Sequence, residues 1–174
     1  YIAYSDWEVM ELLLADPAVR PAATRAKSRR YLELVGSGIP AFPDGLDLLG
    51  RTDGWRVALA TGSMRHEAEL ALSSLGIRDR FQTIVTREDC VNGKPDPEPF
   101  LRAASGLGVP PTRCVVIEDS PGGIQAAKAA GMTCVGVTHS CPRARLLAAD
   151  VVVDDLGAVD LDDLIPGARC GHAG

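Results

Sequence analysis

The chain has little that would point to a nucleic-acid-binding, membrane or secreted protein. Its 174 residues carry 18 Lys and Arg against 23 Asp and Glu, a formal net charge of −5. This balance leaves no basic surface for nucleic acid or an anionic membrane. No apolar run approaches the length of a transmembrane helix, and the N-terminus has no basic region followed by an apolar one, so no signal peptide is predicted.

The chain also has few cysteines, and their spacing is informative. The chain has five cysteines, an odd number, and no two of them are spaced as a CxxC pair. A zinc site or a disulfide framework is therefore not expected, and reduced thiols in a cytoplasmic protein fit better. The five are Cys90, Cys114, Cys134, Cys141 and Cys170.

What is present suffices for a globular domain. Apolar residues make up 46% and charged residues 24% of a chain long enough to bury a core. The first part has helical periodicity, and two breakers follow, at 36–40 and at 42–45. We expect a domain boundary between them, which separates a helical segment at 1–38 from a second domain at 39–174.

The second domain alternates between strand and helix patterns. Short apolar runs predict strands, and helical patterns lie between them, including one at 143–149. Such alternation predicts a parallel sheet with right-handed crossovers. The predicted strands are 56–60, 81–85, 115–117, 133–137 and 151–153.

The most informative feature is the pair Glu118 and Asp119 at the end of the apolar run 114–117. Ser120 can cap the helix that follows, and Pro121 suits its first position. The two acids therefore lie at the carboxyl end of a buried strand, where open α/β sheets bind ligands. Bare carboxylates there need solvent, a partner or a cation, and Mg²⁺ takes one or two of them.

Two further polar groups follow earlier strands. Thr61, Gly62 and Ser63 come directly after one strand and offer a hydroxyl and backbone N–H groups near a helix N-terminus, which favours an anion. Lys94 is held between Gly93 and Pro95 in the loop after the next strand and can neutralise a phosphate or a carboxylate. Each alone has a simpler interpretation, a turn with a helix cap and a solvated loop lysine. Together at one edge of one sheet they suit phosphoryl transfer, which depends on positioning and charge neutralisation.

These residues resemble the haloacid dehalogenase-like hydrolase superfamily, in the branch that holds β-phosphoglucomutase and phosphoglycolate phosphatase. Residues 57–63, 93–97 and 116–132 are similar to its second, third and fourth motifs. The resemblance implies a Rossmann-like three-layer α/β/α core with a partial helical cap at 1–38. It also implies Mg²⁺ at Glu118 and Asp119, a phosphate held by Thr61, Gly62, Ser63 and Lys94, and a catalytic Thr61 and Lys94.

The family's first motif, an apolar strand that ends in Asp-x-Asp-Gly and carries the nucleophile, has no counterpart in this sequence. Asp44-Gly45 is predicted in a loop with no strand before it, and Asp160 to Asp163 follow the last strand. In the family that strand lies between the strands that here end at Ala60 and at Ile117. We therefore expect an N-terminally shortened version of a longer protein, with these two strands unpaired where they would flank it.

The resemblance implies a Mg²⁺-dependent phosphatase that acts on a small phosphorylated metabolite through an aspartyl-phosphate, with negligible turnover from this chain alone. A sugar-phosphate mutase of the β-phosphoglucomutase type is the nearer alternative. A non-catalytic phosphate-binding or regulatory protein is the farther one. Lys27, on the second predicted helix, is a candidate contact for the far end of the substrate, although a solvated helix face explains it as well. The oligomeric state is not predicted.

Overall fold

The computed structural model describes residues 13–35 and 38–165. Residues 1–12 of the predicted cap, and Cys170, lie outside this range. The four cysteines within it form no disulfide. The elements in chain order are α1 (Arg20–Val35), α2 (Pro43–Gly50), β1 (Ala58–Ala60), α3 (Arg65–Ser74), β2 (Thr83–Val85), α4 (Glu98–Leu107), β3 (Val115–Glu118), α5 (Pro121–Ala129), β4 (Thr133–Val137), β5 (Val151–Val153) and α6 (Leu161–Leu164).

The strands are parallel and form two sheets in the described part of the chain. One sheet pairs β1 with β2, with Leu59 opposite Ile84. The other has the order β3-β4-β5, with Val116 opposite Cys134 and Val135 opposite Val151. The five predicted strands are thus confirmed, although β1 and β2 are each two residues shorter than expected. The break in the sheet lies between β1 and β3, where the sequence led us to expect it.

Helices cover both faces of the larger sheet. On one face, α4 and α5 bury a cluster that includes Phe100, Val116 and Ile124. On the other, α2 and the segment that ends in α6 bury Leu48 and Val135. This three-layer α/β/α arrangement is the predicted fold, and apolar burial on both faces explains why the runs at β3 and β4 are continuously hydrophobic.

Two local predictions were wrong. Asp44 and Gly45 lie in the first turn of α2, because Pro43 suits the start of a helix and the helix buries Leu48. The predicted helix at 143–149 is only a 3₁₀ turn at Arg143–Arg145. After that turn, Leu146 is fully buried, and the chain must bend at once for the Asp150 carboxylate to accept from the Cys134 N–H (2.8 Å).

Candidate active site

Lys94 and Glu118 meet at the carboxyl ends of the strands. The Lys94 Nζ donates to Glu118 Oε1, and the two side chains are 19% and 7% exposed. The ammonium also lies over the Phe100 ring, 4.8 Å from its centroid, an attractive cation–π arrangement. The lysine predicted to neutralise a phosphate or a carboxylate therefore already has a carboxylate partner.

The Glu118 side chain is fixed by the start of α5. Its Oε2 accepts from the Ser120 hydroxyl (2.9 Å) and from the Ser120 N–H (3.3 Å). The same hydroxyl accepts from the Gly123 N–H (3.1 Å), so Ser120 is the predicted N-cap. A Cβ on Gly123 would lie 2.0 Å from Glu118 Cδ. Gly123 is therefore required for the carboxylate to approach the helix.

Asp119, the second predicted metal ligand, is half-buried and faces a different loop. Its Oδ2 accepts from the hydroxyl of Ser140, which follows β4. The two residues before Ser140 are also held by carboxylates. Thr138 donates to Asp154 (2.9 Å), and His139 Nε2 lies 2.8 Å from Asp44 Oδ2. The loop 138–140 is thus held by two further carboxylates next to the contact with Asp119, the candidate metal ligand.

Thr61 ends the smaller sheet. Its N–H donates to the Val85 carbonyl (2.9 Å), and its hydroxyl accepts from the Ser63 N–H (3.1 Å). Gly62 is exposed, with open space around it. Ser63 is not the cap of α3, although a serine just before a helix suits that role. Met64 occupies the N-cap position, and its N–H donates to Glu67 Oε2 (3.3 Å).

The loop after β2 supports this Thr61–Ser63 turn. The Arg87 N–H donates to the Ser63 carbonyl (3.1 Å). Asp89 accepts from the N–H and hydroxyl of Thr86, both at 2.7 Å, and from Arg65 at the start of α3. The backbone hydrogen bond from Thr86 is the main reason that the pKa of Asp89 falls to about 2.

An apolar cavity of about 590 Å³ lies between β1, which precedes Thr61, and β3, which contains Glu118. Its walls are β1, β3 and the apolar face of α4. Within the described residues, β1 pairs only with β2 and β3 only with β4, so their facing edges carry unpaired backbone groups. The buried indole N–H of Trp55, which also lines the cavity, has no hydrogen-bond partner among the residues that the structure describes.

The other aspartates considered from the sequence serve the fold. Asp44 accepts from the Leu156 N–H (2.9 Å), and this bond, helped by His139, lowers the pKa of Asp44. Asp160 caps α6 and accepts from the Asp162 N–H (2.9 Å). Both carboxylates therefore accept backbone hydrogen bonds that stabilise the local structure.

The structure brings some of the predicted site residues together. Lys94 and Glu118 are in contact, and Asp119 is adjacent to them. Thr61, Gly62 and Ser63 form one turn across the cavity. Lys27 lies on α1, where its Nζ is 3.5 Å from Glu67.

The donor set suits a hard cation such as Mg²⁺, which takes one or two carboxylates and keeps several waters. Asp119 fits this role, since its carboxylate is half-buried and held by a neutral hydroxyl. Glu118 has the right chemistry, but its two oxygens already accept from Lys94 and Ser120. No group of three or more metal-binding side chains occurs between residues 13 and 165, with 36–37 excepted.

Comparison with known proteins identifies the class. A model of the haloacid dehalogenase-like hydrolase family matches residues 9–131. The chain belongs to this family.

Particular relatives are phosphatases and a mutase. The chain is 41% identical over 137 residues to validoxylamine A 7'-phosphate phosphatase of Streptomyces hygroscopicus subsp. limoneus, which covers 77% of this chain and 64% of that protein. It is 40% identical over 116 residues to fructose-1-phosphate phosphatase of Escherichia coli (strain K12), with 64% and 62% covered. The structure of β-phosphoglucomutase from Clostridium difficile matches with a TM-score of 0.82 and 28% identity, over 93% of this chain and 76% of that one. The chain thus spans less than two thirds of the length of these two phosphatases.

Sequence reasoning missed two residues of this region. Ser140 follows a strand, as the predicted site residues do, but a single serine in a loop is no signal by itself. Glu67 did carry a sequence signal. It stands at the third helical position of α3, where an acidic side chain can accept a hydrogen bond from the N-cap backbone N–H.

Proposed function

We propose that this chain carries the phosphate-binding and metal-binding residues of a Mg²⁺-dependent phosphatase that acts on a small phosphorylated metabolite. The observation that carries the proposal is the Lys94–Glu118 contact at the strand ends, with Asp119 next to it. A cation and two carboxylates in this position suit a reaction that moves a phosphoryl group. The phosphatase relatives support the same reaction class.

Each residue would have a distinct role. The Thr61 hydroxyl and the N–H groups of the Thr61–Ser63 turn would hold the phosphoryl oxygens. Lys94 would neutralise the phosphoryl group and keep its contact with Glu118. Asp119 and Glu118 would hold Mg²⁺, which when bound neutralises charge on the phosphoryl oxygens and orients them.

The nucleophile would come from outside the described residues. The unpaired edges of β1 and β3 and the apolar cavity between them leave room for one more strand. A strand that ends in Asp-x-Asp-Gly would place its first aspartate beside Lys94 and Glu118. We propose that this strand is present in the full-length protein and that α1 belongs to a cap, residues 1–38, over the core at 39–174. The four free thiols among the described residues agree with a reducing, cytoplasmic location.

The test is a phosphatase assay of the 174-residue chain with Mg²⁺ and a panel of sugar phosphates and phosphoglycolate. We expect no turnover above background, and turnover once the chain is extended by the nucleophile strand. Asp119→Asn should abolish the activity of the extended chain. Robust Mg²⁺-dependent turnover by the 174 residues, lost in Asp119→Asn, would show that the nucleophile lies within them and that this assignment is wrong.

A sugar-phosphate mutase is the second candidate, and the structural match to β-phosphoglucomutase favours it. A mutase returns the phosphoryl group to a sugar, whereas a phosphatase transfers it to water. Product analysis of the extended chain with β-glucose 1-phosphate separates them. Inorganic phosphate as the main product supports the phosphatase, and glucose 6-phosphate supports the mutase.

A further inference from the structure

The contact between α1 and the core centres on one buried carboxylate. Glu67, on α3, is 1% exposed. Its Oε1 accepts from the Ser28 hydroxyl of α1 (2.6 Å), and its Oε2 accepts from the Met64 N–H (3.3 Å). Of the residues of α1, only Val35 is buried. A buried polar contact therefore lies where this helix meets α3.

The same carboxylate holds Lys27. The Lys27 Nζ lies 3.5 Å from Glu67 Oε1 and 5.2 Å from the centroid of the Tyr31 ring, one turn further along α1. The ammonium group is thus bounded by an anion on the core and an aromatic face on its own helix. Both interactions attract a cation, so they restrict where the end of this side chain lies.

The charge of Glu67 is maintained despite its burial. Burial raises the pKa of this carboxyl, but the hydrogen bond from Ser28 and the charge of Lys27 outweigh it, and the pKa lies below its usual value. An ionised carboxylate that loses its partners inside a protein is strongly destabilising. Displacement of α1 would remove the Ser28 hydrogen bond and the Lys27 charge from Glu67, so these two contacts oppose displacement.

The position of Glu67 links this contact to the phosphate-binding turn. Glu67 holds the Met64 N–H, and Met64 directly follows Ser63. We propose that Glu67 is a positioning residue: it docks α1 on the core and fixes the Lys27 ammonium beside the Thr61–Ser63 turn. The docking stands by itself, while the use of Lys27 for substrate rests on the proposed function.

Hydrogen–deuterium exchange tests the docking. Ser28→Ala and Glu67→Ala should speed exchange of the α1 amides by about tenfold or more, because each removes a hydrogen bond to a charged group. Exchange in α5 should not change. Glu69→Gln is the matched control, since Glu69 lies on the same helix but pairs with Arg78 at the surface. If Ser28→Ala and Glu67→Ala leave α1 exchange as slow as Glu69→Gln does, the docking role is wrong. Ser28→Ala keeps the test valid should Glu67→Ala fail to fold.

Lysine NMR tests the positioning of Lys27. The chain has three lysines, Lys27, Lys94 and Lys128, so ¹³C-dimethylation gives few signals, and Lys27→Met assigns one of them. Glu67→Gln keeps the side-chain size and removes the charge. We expect it to shift the Lys27 signal and to leave those of Lys94 and Lys128 in place. An unmoved Lys27 signal would overturn the proposal. Neither experiment uses turnover, so its outcome is independent of whether the proposed reaction is correct.

Discussion

The two halves of the molecule differ in how completely they are packed. Around β3, β4 and β5, six side chains are fully buried: Ile124, Ala126, Ala127, Cys134, Val135 and Leu146. On the side of β1 and β2, only Thr86 and Glu67 among the described residues are buried to this degree, and within the two strands only Val85 is buried. An unpaired edge of both β1 and β3 faces the cavity, but Glu118 belongs to a strand with buried residues, whereas Thr61 follows β1, in which no residue is buried. The two sides of the candidate site therefore differ in how deeply their supporting strands are buried.

Hydrogen exchange should show this contrast most clearly. Local opening free energies range from near zero to the global value within one protein. We expect the amides of β4 to exchange at least about 100-fold more slowly than those of β1, after correction for intrinsic rates, because β4 is paired on both edges and β1 on one. Equal protection of the two strands would mean that the cavity does not weaken the smaller sheet.

Loss of the central ion pair should be the most damaging single substitution on the packed side. Lys94→Met leaves a buried carboxylate without its cation, and we expect a loss of about 3 kcal/mol in the free energy of unfolding, measured by urea denaturation. The double variant Lys94→Met/Glu118→Gln should recover much of this loss.

Lys128→Met is the control for that experiment. Lys128 pairs with Asp150 at 2.6 Å, but both side chains are 40% exposed. An exposed pair contributes at most about 1 kcal/mol. A loss as large as that of Lys94→Met would show that burial does not govern the cost.

Gly123→Ala should come next. The added Cβ needs space that the Glu118 carboxyl occupies, so the carboxylate must leave Ser120 or the helix must move. We expect a loss of about 2 kcal/mol, from thermal or urea unfolding. Gly50→Ala is the control, because a Cβ there meets nothing within 4 Å. An unchanged stability for Gly123→Ala would mean that Glu118 has a second position available.

The smallest effect belongs to Asp89 on the open side. Its pKa is about 2 when folded, against 3.8 as the reference. Since the folded pKa is the lower, the contribution is complete above about pH 4 and is lost as the pH falls towards 2. Asp89→Asn should lower stability by about 1 kcal/mol at pH 7, a value reduced for solvent screening. The difference from the parent chain should shrink between pH 4 and pH 2, and a constant difference would contradict the assigned pKa.

The fold was predictable where the signal lay in one stretch of chain. The apolar runs at 115–117 and 133–137 gave β3 and β4, and the Ser120-Pro121 pair gave the start of α5. Two stretches misled. The pattern at 143–149 predicted a helix where only a 3₁₀ turn forms at Arg143–Arg145, and the one at 42–45 predicted a break where a helix begins at Pro43. Tertiary contacts decided both cases.

The site was predictable in composition but not in contacts. The strand ends predicted that Glu118, Asp119 and Lys94 lie at one edge of the sheet. The sequence did not show that Lys94 contacts Glu118 instead of remaining free for a phosphate. Ser140 lies 21 positions from Asp119 and Ser28 lies 39 positions from Glu67. Single-sequence periodicity carries no information about such pairs.

Each residue of the loop 138–140 contacts a different carboxylate: Thr138 contacts Asp154, His139 contacts Asp44 and Ser140 contacts Asp119. The three contacts lie on three different segments of the chain, so one can be lost while the other two remain. If Asp119 turned from Ser140 towards a cation, the loop would lose this contact and keep those of Thr138 and His139. Cation binding would then free the Ser140 end of this loop, while His139 stays in contact with Asp44 in the first turn of α2.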